Sequence, residues 1–308
     1  MIITVLNMSK QIADADLQHV IRAINRQIKE DFEPYWSLGA LLRLEGKSAR
    51  APDKLGLPDM RGDAVLYLWD QVDVPNALGY HDANARGIPF GFVFTELQGE
   101  LHEAWTVTLS HEALELIADP LVNLLVAGPH PTEDRTVFHW YEMFDAVQDE
   151  RYQVDGVDVS NFVLPLYFTP TAEQGSRNDF LGKAYEGATL ASFGINPGGY
   201  IGFFDPKTEK HETYAMANDE TAKRRLAAKK QLATDGLMAG RRAYRIGGWP
   251  REKTLEDQPS PPKAAARSPA VRAASSKNIN IQAATLQEMA LAVSPKAGRS
   301  FVMIDSEE

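Results

Sequence analysis

The chain has 308 residues, 44% hydrophobic and 24% charged, which allows a sizeable core in one large or two modest domains. Its formal charge of −10, with no basic stripe dominating the first 215 residues, argues against a nucleic-acid partner. The absence of cysteine excludes disulfides, thiolate zinc sites, cysteine-ligated clusters and cysteine nucleophiles. Any metal must then be held by His, Asp, Glu or backbone oxygen.

Taken in chain order, Ile2–Asn7 is a β-branched run that suits a buried strand. The N-terminal MIITVLNMSKQ lacks the basic and long apolar regions of a secretory signal, and no run approaches about 18 apolar residues. A cytoplasmic protein with no membrane partner is expected, with leaderless export still open. Asp14 or Asp16 can cap a helix continuing to about Phe32, whose apolar positions Leu17, Val20, Ile21, Ile24 and Ile28 recur at helical spacing. Ser37–Leu44 reads as a strand, Ala51–Gly62 as a loop and Ala64–Trp69 as a strand. Ala77–Tyr80 and Phe90–Phe94 follow as further strands. Pro89 and Gly91 assign the last of these to a sheet edge. From Glu103 a second helix runs to Asp119-Pro120, where proline stops it. This order, over residues 1–120, predicts a twisted mixed sheet with two helices packed on it.

Residues 121–248 read as a β-rich second part. Val137–Phe168 is strand-like, with Asp155-Gly156 as a hairpin signal in YQVDGVDV, and Asp205–Thr208 marks another turn. Asp219–Thr234 holds a basic helix with Lys223, Arg224, Arg225, Lys229 and Lys230, suited to a solvated face or to an acidic partner. Residues 249–277 are rich in Pro, Ala and Ser and read as a flexible linker. Residues 278–308 regain apolar content but are too short for a core of their own, so a tail that docks on its own chain or on a protein partner is expected. The fold class is therefore α+β.

The second helix carries the chemistry. In SHEALELIADP, His111 and Glu115 lie four apart on one helix face and can grip one ion, and Asp119 follows about 80° further round. Glu112 stands where an HExxH enzyme keeps its general base, but Glu115 replaces the second histidine. Carboxylate is an accepted zinc ligand, although the added charge weakens the ion as a Lewis acid and favours harder cations such as Ca²⁺ or Mn²⁺. Two acids and a histidine on a solvated amphipathic helix would look the same. Downstream, FHWYEMFDAV offers Glu142 and Asp145, either as further ligands or as solvent-facing acids. His81, in GYHDANARG, suits a transition-state donor at a cleft rim or a turn histidine satisfied by Asp82.

These residues together resemble the zincin-like metallopeptidases, and more narrowly an uncharacterised bacterial family with an SHExxExxxDP pattern followed by an ExxD segment. The matching positions are Ser110, His111, Glu112, Glu115, Asp119, Pro120, Glu142 and Asp145. DADLQHVIRAINRQIKEDFEPYW, LGYHD at 78–82 and VSNFVLPLYF at 159–168 extend the resemblance over about residues 1–170. The resemblance implies a zincin fold, with an edge strand near Phe90–Phe94 above the cleft and the motif helix below, and a peptide or protein substrate added to that edge. It further implies His111 and Glu115 as ligands of a divalent ion, Zn²⁺ first, with Glu112 as base. Asp119, Glu142 or Asp145 would complete the ligand set. Two functions follow as expectations: a zincin-like peptidase with a variant site, or a non-catalytic zincin-like scaffold whose C-terminal tail docks on a partner.

Overall fold

The computed structural model describes residues 1–45, 62–70, 79–83, 87–95, 104–170 and 176–234. The expected linker and docking tail, and most of the loop at 51–62, lie outside the described residues.

The N-terminal part is a five-stranded sheet: β1 (Ile2–Asn7), β2 (Leu41–Glu45), β3 (Ala64–Trp69), β4 (Gly79–Ala83) and β5 (Pro89–Phe94). Its order is β2-β1-β3-β5-β4. The first four strands in that order run parallel, and β4 is antiparallel to β5. The mixed sheet expected from the sequence is thus present, but its edge is not where Pro89 and Gly91 placed it. β5 lies inside, between β3 and β4, and among the described residues β4 ends the sheet on that side. Pro89 is tolerated because it is the first residue of its strand. Gly91 is explained by close approach: a Cβ there would stand 2.7 Å from the Leu66 side chain, 2.9 Å from the Tyr80 carbonyl and 3.3 Å from the Cβ of His81.

α1 (Asp14–Arg26) follows β1, with Asp14 and Asp16 in its positive first turn and Arg26 in its last. Ala13, not an aspartate, occupies the cap position, and Asp14 instead accepts a hydrogen bond from the Asn7 side chain at 2.6 Å. The helix widens into a π turn over Gln27–Phe32 and continues as α2 (Glu33–Trp36). It ends where Ser37 turns left-handed at φ 54°. The chain needs Leu38–Ala40 to turn back, so β2 starts at Leu41, where pairing with Ile2 begins, and not at Ser37.

α3 (Trp105–Ala118) packs on the helix-bearing face of the sheet with α1. Beyond Asp119-Pro120 come β6 (Leu125–Pro129) and β7 (Thr136–Trp140), then a hairpin of β8 (Arg151–Val154) and β9 (Val157–Ser160). Asp155 and Gly156 both adopt positive φ, 50° and 77°, as the expected two-residue hairpin turn requires. This hairpin covers the side of α3 that faces away from the sheet: Thr106 donates to the Asp158 carbonyl, and Ser160 N donates to the Ser110 hydroxyl.

A short antiparallel pair, β10 (Ala184–Tyr185) with β11 (Ala188–Thr189), precedes β12 (Tyr200–Asp205) and β13 (Lys210–Ala215). β12 and β13 complete a second sheet of order β13-β12-β7-β6, and α4 (Glu220–Thr234) follows. Separate sheets with segregated helices make this an α+β protein. Among the described residues no helix is long and apolar enough to cross a membrane.

Candidate metal centre

α3 is not a surface helix. Every residue from Trp105 to Ala118 except Thr106 is buried, including Ser110, His111, Glu112 and Glu115. A solvated polar stripe is therefore ruled out for this helix. Buried carboxylates and imidazoles must be paired, hydrogen-bonded or bound to a cation, because removing a lone charge from water is expensive.

Three elements converge on the polar side of α3. One turn apart, His111 Nε2 and Glu115 Oε1 stand 3.2 Å from each other. From the antiparallel edge strand β4, His81 is fully buried and places Nδ1 3.0 Å from Glu115 Oε2 and 3.3 Å from Glu112 Oε2. The third contribution comes from the chain leaving β7. Met143 O accepts from Val163 N, and Ala146 O from Asn196 N, which fixes a single 3-10 turn at Asp145–Val147. Asp145 Oδ1 thereby comes to 3.6 Å from His111 Nε2. The Phe144 ring packs 5.1 Å from the His111 ring. Glu142, just before this turn, is buried and reaches His81 and Glu115. The donors form two triads, His81–Glu115–Glu142 and His111–Glu115–Asp145, each with its ligand atoms within 4.8 Å of one another.

Electrostatics follow from this crowding. Burial works against charge on His111, but Glu115, Asp145 and Glu112 outweigh it, and its pKa is pushed up to about 10. Burial likewise works against a charged Glu115, yet His111 first and His81 second hold its carboxyl well below the usual range. Tyr80 is pushed up by burial and by the nearby Asp82 and Glu112. The centre gathers four carboxylates and two imidazoles, all of them buried.

No family model, curated protein or solved structure matches the chain. The chemistry of the site is therefore argued from its donors.

Two imidazoles and several carboxylates are a donor set for Zn²⁺, Mn²⁺ or a similar divalent ion. Donors about 2.1 Å from one ion, at tetrahedral or octahedral angles, stand about 3.0–3.4 Å apart. The 3.0, 3.2 and 3.6 Å spacings around Glu115 and His111 fit that demand with little movement.

Of the residues singled out from sequence, His81, His111, Glu112, Glu115, Glu142 and Asp145 are brought together. Asp119 is buried but has a different neighbourhood: its carboxylate accepts from Asn123 N at 3.1 Å and Leu124 N at 2.9 Å, closing the turn after α3. Ser110 ties elements together. It donates to Gln27 Oε1 at 2.9 Å and accepts from Ser160 N at 3.0 Å, while Gln27 Nε2 donates to Ser160 O at 2.9 Å. Gln27 escaped the sequence reading, although its signal is visible: three residues after Ile24, it falls in line with the apolar stripe. Gly79 escaped as well. A Cβ there would lie 2.7 Å from Phe92 O, 2.8 Å from Thr108 Cγ2 and 3.0 Å from Glu112 Oε1, so glycine is what lets β4 lie against α3.

Proposed function

We propose that this protein is a metal-dependent hydrolase of the zincin-like kind, acting on peptide bonds. The observation that carries the reading is the convergence of two buried imidazoles and three buried carboxylates at ligand spacing, from β4, α3 and the turn after β7, with the buried Glu112 beside them. The choice of a peptide substrate follows the resemblance of SHEALELIADP to the zincin-like metallopeptidases; β4, every residue of which is buried, carries His81 to the cluster.

His111, Glu115 and Asp145 would hold a divalent ion, which when bound supplies Lewis acidity that polarises a scissile carbonyl and acidifies a water. Glu112 is the base. It accepts the water's proton and returns it to the leaving amine, the double duty a carboxylate can perform when it sits beside, but not on, the ligand set. His81 Nδ1 stands 3.3 Å from the Glu112 carboxylate. The burial of the whole cluster keeps bulk water from competing with these contacts.

Glu112→Gln keeps the shape and removes the base. Peptide hydrolysis should fall by at least about a hundredfold, as for loss of a general base, with bound metal unchanged. Elemental analysis of protein stripped and reloaded with Zn²⁺ or Mn²⁺ provides the second readout. A reloaded chain holding no stoichiometric ion would sink the proposal.

A further inference from the structure

We propose that the centre takes two divalent ions bridged by Glu115: one on His81, Glu115 and Glu142, the other on His111, Glu115 and Asp145. This deepens the metal-dependent reading and rests on it.

The two triads share Glu115 and nothing else, and each contributes its own imidazole and its own second carboxylate. The carboxylate of Glu115 is turned so that each oxygen serves a different side. Oε2 lies 3.0 Å from His81 Nδ1, and Oε1 lies 3.2 Å from His111 Nε2. A carboxylate that bridges two ions presents its oxygens in the same way, one to each side. Backbone provenance matches: His81 rides on the edge strand, His111 on the helix, and Glu142 and Asp145 stand on either side of the bend that opens the 3-10 turn.

Charge balance points the same way. Glu112, Glu115, Glu142 and Asp145 are all buried. With neutral imidazoles, two divalent ions match these four buried carboxylates in charge. The departure from HExxH then acquires a reason. An imidazole at position 115 could serve one ion through one nitrogen, but a carboxylate can serve two. Paired ions of this sort belong to hydrolytic centres that clamp both the attacking and the leaving atom.

The test uses the full chain, stripped of metal and reloaded with Mn²⁺. Mass spectrometry should find two ions per chain, and electron paramagnetic resonance should show the signal of an exchange-coupled pair. His81→Ala should reduce the content from two ions to one, as should His111→Ala, each leaving an uncoupled spectrum. Glu115→His, which restores the HExxH pattern, should also hold one. Circular dichroism of each variant separates a lost ligand from a lost fold, and the native stoichiometry does not depend on any variant. One uncoupled ion per native chain would overturn the pair while leaving the one-ion hydrolase standing. No ion at all would overturn both.

Discussion

At the scale of single residues, glycine decides how close the edge strand comes to the helix. Gly79 faces α3 with no room for a methyl group, and the first atoms displaced by one would be backbone oxygen, Thr108 and the Glu112 carboxylate. Gly79→Ala should therefore lower stability by about 1–3 kcal/mol, the range of overpacking in a tight core. It should also weaken metal binding, because β4 would carry His81 away from Glu115. Calorimetric melting and metal titration of the same protein check the two effects; unchanged affinity would show that β4 can shift without its histidine. The candidate ligands were largely legible as residues: His111 and Glu115 from their spacing, Glu142 and Asp145 from their clustering. The role of His81 was not. Its neighbours are set by strand pairing with β5, a contact that no local pattern in GYHDANARG encodes.

At the scale of elements, α3 shows how a helix can be legible in extent while its setting stays open between a solvated face and a core boundary. Its stop at Asp119-Pro120 follows from proline, and the observed helix ends at Ala118. Its polar residues could face solvent as far as local sequence shows, because what buries them, β4, the turn after β7 and the β8–β9 hairpin, comes from other parts of the chain. The assignment of Phe90–Phe94 to an edge failed for a related reason: glycine in a strand marks close approach as readily as an edge, and only the register opposite His81 separates the two. The cover over α3 is pinned by Ser110, whose hydroxyl joins Gln27 in the π turn to Ser160 in β9. Ser110→Ala strands a buried amide N–H and a buried amide oxygen, at a cost of about 1–3 kcal/mol. The expected result is a lower urea midpoint with metal content unchanged, which marks Ser110 as a tie between elements and not a nucleophile. Loss of hydrolysis at full stability would contradict that.

At the scale of the whole molecule, stability should depend on pH through the second sheet as well as through the centre. His139, on β7, is buried between the Phe193 and Phe203 rings and donates from Nε2 to Pro129 O at 2.8 Å. Burial holds its pKa below the ordinary 6.5, and the neighbouring His130 adds to this while the Pro129 contact opposes it. Since the folded form resists a proton that the unfolded chain accepts, its contribution is fully present above 6.5 and declines as pH falls below that value toward the depressed folded pKa. Urea midpoints taken on both sides of pH 6.5 should fall on the acidic side, and His139→Gln should flatten that fall. An identical slope in the variant would assign the acid sensitivity elsewhere.

The position of β4 has a thermodynamic consequence. This strand presents His81 to Glu115, is joined to the sheet by β5, and has all five of its residues buried. Whatever stiffens the strand stiffens the imidazole with it, and so would change the affinity for an ion at the proposed site. Linkage makes the effect reciprocal: an ion bound there would hold β4 in place by the same factor. Strand order and ion binding would then report on each other.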